Sequence, residues 1–290
     1  MKAIRNLITT LVVVVAILGV VIIGGYIYVR TTYGIDLFRT AEQLKTLTQA
    51  VDENALCPNA FGEEDFAAME TELNKKFDGF VSHEEGKGFN GYSVNFGALA
   101  GKSMSGTISL TEKQVGAITQ TVFYVQTGGK IKIGEKEVSV TVVQVDFSEI
   151  AANGSADFNV VAKIDLTPFK ADMGEFPYKY FKKYIPDNFF VSSTVRVDKT
   201  EKGGFSYNVT HKSLTLNNLS ADDTADLFNT MSAVLKIGTA ENLNKQIGET
   251  AVNALIGKKE TPGFAYSMKA IGATAFRFET ASDAERFVVN

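Results

Sequence analysis

Residues 137–147 read EVSVTVVQVDF and residues 157–166 read DFNVVAKIDL, two alternating β-branched runs joined by a Gly-containing connection. A parallel sheet needs a crossover of a dozen or more residues, usually helical, between neighbouring strands. Here strand follows strand, so the two runs predict an antiparallel pair. Residues 190–199 and 205–216 form a second such pair around Lys202-Gly203-Gly204. Val191, Val195 and Val197 lie opposite Tyr207, Val209, Leu214 and Leu216, which predicts a hairpin.

Upstream, residues 108–110 make a short strand. Thr111 and Gln114 have capping-box spacing, which predicts a helix through Val115, Ile118, Val122 and Val125. Val115, Ile118 and Val122 fall on one face, expected to pack on the strand at 138–145. Earlier still, Phe66, Met69, Leu73 and Phe77 recur at helical spacing after an acidic first turn, and Leu37, Phe38, Leu44 and Leu47 suggest a helical stalk. Residues 79–106 are Gly-rich and short-stranded. Downstream, Ser220 opens a helix with Leu227, Phe228, Met231 and Leu235. Thr239 opens another through Leu243, Ile247, Val252 and Leu255, which Gly257 and Pro262 end. Residues 265–278 read as a last strand before a polar tail. The fold class is therefore α+β, an antiparallel sheet with helices laid on it.

Residues 7–29, LITTLVVVVAILGVVIIGGYIYV, are an uncharged apolar run of about the 20 residues that cross ~30 Å of hydrocarbon. Lys2 and Arg5 precede it, and Tyr26, Tyr28, Arg30 and Tyr33 follow as interfacial anchors. A cleaved signal peptide has a shorter core, so a single-pass transmembrane helix is expected, with the following domain outside the cytoplasm. The layout is then a tail and anchor at 1–33, a stalk and connecting region at 34–106, and an α+β domain at 107–290, with the bilayer as a partner.

The formal net charge of −4 gives no basic field, which speaks against nucleic acid as a partner. Cys57 is the lone cysteine, so no internal disulfide is possible. The two histidines, His83 and His211, belong to no metal-ligand spacing. The stretch from Gly97 to Gly101-Lys102-Ser103 has three residues between its glycines where a phosphate-cradling loop needs four. Asp146 and Asp165 end successive strands, where an Asp ordinarily solvates a turn. Asn153, Asn208 and Asn218 stand in N-x-[ST] sequons and are read as turn and strand residues. No nucleophile motif occurs, so no enzymatic activity and no cofactor is expected. The chemically densest stretch is FPYKYFKKYIPDNFF, residues 176–190. There Phe176, Tyr178, Tyr180, Phe181 and Tyr184 alternate with Lys179, Lys182 and Lys183, which suits a membrane interface or the mouth of an apolar site. The alternative is a short helix whose rings cover the sheet.

The segments ISLTEKQVGAI (108–118), VVQVDFSE (142–149), FNVVAKIDLTPF (158–169) and FVSSTVRVDK (190–199) resemble the YpmS-like membrane-anchored envelope proteins of Gram-positive bacteria. That resemblance covers the middle half of the chain, with a look of tubular lipid-binding and AsmA-type folds. It implies a curved sheet, a place in the cell envelope, and a lipid or other apolar ligand. Its alternative is a scaffold for an envelope protein complex. No catalytic residue is carried over.

Overall fold

The two opening strands pair antiparallel and extend into a five-stranded meander in the computed structural model. It describes residues 37–133, 136–167, 186–200, 204–235, 239–281 and 284–290. The described part opens with α1 (Leu37–Thr48), the single turn α2 (Glu53–Leu56) and α3 (Glu63–Lys76). Short strands β1 (Val81–His83) and β2 (Tyr92–Val94) pair with each other, and β3 (Ile108–Thr111) leads into α4 (Glu112–Thr127). The meander is β4 (Lys130–Ile133), β5 (Lys136–Ser148), β6 (Ala156–Asp165), β7 (Asn188–Lys199) and β8 (Tyr207–Leu216), in that spatial order. Helices α5 (Ala221–Leu235), α6 (Ala240–Leu255) and α7 (Phe264–Ser267) follow, then β9 (Phe276–Thr280) and β10 (Glu285–Val289). β10 lies between β3 and β9 in a separate three-stranded sheet.

Local sequence explains the best-defined ends. The Thr111 hydroxyl accepts the Gln114 N–H while Gln114 Oε1 accepts the Thr111 N–H, the reciprocal capping box expected from their spacing. Gly128 closes α4 in the left-handed region at φ +68°, where glycine carries no steric penalty. Thr239 caps α6 in the same way as Thr111, through the Asn242 N–H.

The meander buries one face under α4, α5 and α6. Val115, Ile118 and Val122 are all buried beside Val138, Val140, Val142 and Val145, as the stripe predicts, whereas Val125 is 56% exposed at the helix's far end. The alternation in β5 slips by one residue at Val142-Val143-Gln144, where a bulge sends Val143 and Gln144 together to the opposite face. Val140 N–H donates to the Gly129 carbonyl just before β4, and two residues on, past the end of that strand, Val142 N–H donates to the buried Gln120 Oε1 at 2.8 Å. On the outer face, Val143, Val161 and Phe190 meet Cys57, Val51 and Leu56, so the segment around α2 forms a strap. The Asn59 side chain fastens it by donating to Asp146 Oδ1 at 3.1 Å, and Glu53 pairs with Lys163 at 2.8 Å. A seam of phenylalanines joins the two larger sheets: Phe147 lies 4.8 Å from Phe278, which in turn lies 5.3 Å from Phe287.

Three expectations are corrected. The sheet is not a curved or closed one: among the described residues the strands divide among three antiparallel sheets of five, three and two strands, and only the α+β mixture stands. The transmembrane anchor is withdrawn, since among the described residues no helix is long and apolar enough to cross a membrane; residues 7–29 themselves lie outside the described residues. The run at 265–278 is not one strand. Phe264, Met268 and Ile271 are buried at near-helical spacing in α7 and the 3-10 turn that follows, and only residues from Phe276 onward are extended. The supposed polar tail contains β10, whose Phe287, Val288 and Val289 are buried.

Candidate functional site

A groove of about 860 Å³ opens where the tip of the β7–β8 hairpin meets the chain between α6 and β9. Its first wall is the hairpin end, closed by Thr200 N–H donating to the Ser206 carbonyl at 3.0 Å. Gly204 there lies against the Thr274 carbonyl so closely that any β-carbon would collide with it, and its own carbonyl accepts the Phe276 N–H at 3.2 Å. Glycine is required for that approach of two backbones. Phe205 and Tyr207 follow, each with most of its ring covered, and Ser206 and Asn208 line the rim.

The opposite wall begins where α6 ends. Gly257 takes φ +76°, Lys258 N–H donates to the Thr261 carbonyl at 3.0 Å, and Gly257 bridges to Pro262. This tight loop leaves Lys258 and Lys259 exposed on the groove. α7 is held to it by Tyr266 N–H donating to the Ile256 carbonyl at 2.8 Å, which sets Tyr266 and, one turn later, Lys269 on the same side.

Cations and rings interleave. Lys258 Nζ stands 5.1 Å from the Tyr207 ring centroid, and Lys269 Nζ stands 4.9 Å from Tyr266 and 5.9 Å from Phe205. Phe205 and Tyr266 meet edge to face, 5.8 Å apart at 69°. Tyr207 donates its hydroxyl to Asn253 Oδ1 at 2.6 Å, and burial, with Glu249 as a lesser influence, pushes its phenol well above the ordinary value. Tyr207 is therefore a neutral, fixed wall. Beside the groove, Lys199 rests 5.2 Å from the Phe276 ring, and burial first, Arg277 second, lowers its pKa. Neither Asp nor Glu occurs among the described lining residues.

The other candidates are held in structural roles. His83 stacks on Tyr92 at 4.1 Å, and His211 Nδ1 lies 2.7 Å from Asn244 Nδ2 beneath α6. Cys57 is buried in the strap, and desolvation, reinforced by Glu53 and Asp146, pushes its thiol up to about 11. Asp146 pairs across from Asn159 and Asp165 from Ser139, which separates the two carboxylates by ~20 Å along the strands. Asp146 accepts from Asn59, Gln144 and Asn159. Phe96–Leu99 is a 3-10 turn, with Gly101 at φ +72°, and no helix N-terminus follows to hold a phosphate. Among the described residues no group of three His, Cys, Asp or Glu could hold a metal ion. The aromatic and lysine residues from Phe176 to Tyr184 lie outside the described residues.

The groove was not foreseen. Its lysines and rings come from residues 200–208, 258–269 and 274, three stretches that read separately as a hairpin, a helix end and a strand. No local spacing links them.

No family model, no curated protein and no solved structure matches the chain. The resemblance to the YpmS-like envelope proteins is accordingly withdrawn, since no family model supports it. With it, and with no spanning helix among the described residues, go the cell-membrane location, the bilayer and envelope partners, and the functions as an envelope lipid binder or envelope scaffold.

Proposed function

We propose that this chain is a non-enzymatic binding protein whose groove between the β7–β8 hairpin and α7 takes an anionic ligand. One observation carries the reading: Lys258, Lys259 and Lys269 converge on one groove without a carboxylate among its described lining, in a chain of net charge −4. On such a chain, lysines near one another ordinarily find acidic neighbours. Lys258 and Lys269 rest instead on aromatic faces. An exposed cation–π contact is worth about 0.5–1 kcal/mol and an exposed ion pair about 0–1 kcal/mol, so a single lysine gains little by leaving its ring. A ligand with several anionic groups engages the three lysines at once, and the rings hold two of them in place until it arrives. A volume within the roughly 300–1,000 Å³ range of ligand sites exceeds what one inorganic anion fills.

Calorimetric titration of the full-length chain with tripolyphosphate tests this. Binding is expected to weaken as salt rises, because the site is exposed and screened, and to fall at least tenfold in the double variant Lys258→Glu, Lys269→Glu. Both lysines are on the surface, so the variant should keep its melting temperature. Equal binding by parent and variant, or none by the parent, would overturn the assignment.

A further inference from the structure

Resting on that reading, we infer that the ligand is an anionic carbohydrate, a sugar chain bearing carboxylate or phosphate groups. The lysines account for the charge but use only a fraction of the groove. Between them stands the half-buried Tyr266 ring, with the buried Phe205 ring set at 69° to it as the back of a corner. A sugar ring presents a face of polarised C–H bonds, and these are attracted to the negative face of an aromatic ring by the same quadrupole that holds the lysines.

Around that corner the rim carries neutral groups able both to give and to take hydrogen bonds: the hydroxyls of Thr200 and Ser206 and the amide of Asn208. No recorded protein partner occupies the Ser206 hydroxyl or the Asn208 amide among the described residues. Vicinal hydroxyls match such groups, while a bare polyanion, which only accepts, leaves their acceptor oxygens unused. Charge, C–H faces and paired hydroxyls occur together in a uronate or phosphorylated glycan.

The test uses the full-length chain and calorimetry with four probes: a tetrameric oligogalacturonate, its fully methyl-esterified and therefore neutral form, tripolyphosphate and a mononucleotide. The expected order is oligogalacturonate at least tenfold tighter than any of the others. Tyr266→Leu should weaken the oligogalacturonate at least fivefold and leave tripolyphosphate unchanged. Tyr266→Phe keeps the ring and should retain binding, and Ser206→Ala, a milder change at the rim, should reproduce the selective loss if the leucine variant folds poorly. Tripolyphosphate binding as tightly as the sugar, or a Tyr266→Leu loss equal for both, would sink the carbohydrate inference and leave the anion site standing. A mononucleotide bound more tightly than the sugar would also sink it. Failure of every anion to bind would remove both.

Discussion

Glu112, the first residue of α4, accepts the Phe147 N–H through Oε1 while half-buried against the sheet. Desolvation is the strongest influence on it and raises its pKa above the ordinary 4.5; the Phe147 hydrogen bond opposes that, and the carboxylates of Asp146 and Glu285 add to it. A raised folded pKa means that the native state holds this proton more firmly than the unfolded chain. The stability contributed by Glu112 is thus fully present below 4.5 and is lost as pH rises through the folded value. Glu112→Gln keeps an acceptor for Phe147 and removes the charge. Its position in the first helical turn works the other way, since a negative charge there is worth about 0.3–1 kcal/mol to the helix dipole. Burial should exceed that term. Urea unfolding at pH 4 and pH 7 is expected to show the variant gaining on the parent as pH rises. A variant that loses ground between the two would show that the dipole dominates.

The bulge in β5 sets how α4, the meander and the strap fit together. Before it, Val138, Val140 and Val142 face the helices; after it, Val145 and Phe147 do, and the two residues between supply the strap's anchor. The Val142 N–H beside the bulge, beyond the reach of β4, has Gln120 as its partner, itself only 1% exposed. Gln120→Leu preserves bulk and leaves that N–H buried and unpaired, a loss of about 1–3 kcal/mol. Chemical denaturation would measure it, and a change below ~0.5 kcal/mol would mean that the N–H finds water instead. The strands flanking this bulge were legible because their alternation and turns are local, and so were the caps at Thr111 and Thr239. What escaped the sequence depends on distant partners. β10 reads as a tail until β3, more than 170 residues earlier, supplies its neighbour. The groove likewise exists only after the 257–262 loop is folded against the hairpin. Residues 265–278 misled because an apolar run does not by itself tell a short buried helix from a strand.

At the scale of the molecule, the C-terminal strand binds the groove to the core. β10 pairs with β3 on one side and β9 on the other, and Asn290 O accepts N–H groups from both Thr274 and Ala275 at 2.6 and 3.0 Å. Thr274 lines the groove, and its carbonyl abuts Gly204 on the facing wall. The same strand inserts Phe287 between Phe276 and Phe278, at 5.9 and 5.3 Å, within the seam that joins the three-stranded sheet to the meander. Phe287 is fully buried, so Phe287→Ala should cost about 3–5 kcal/mol. For a domain whose stability is about 5–15 kcal/mol, that removes a large share of it, and affinity is read on the fraction that remains folded. Removing only Asn290 is the sharper probe, because it spares the seam and takes away the anchor of the groove's rim. The expected outcome is a small loss of melting temperature with a clear loss of anion affinity in calorimetry. Phe287→Ala should show the reverse balance, with stability strongly reduced and the affinity of the folded fraction nearly intact. Should deletion of Asn290 leave affinity unchanged, the rim would owe its position to the Gly204 contact alone and the coupling through the C-terminal strand would be refuted.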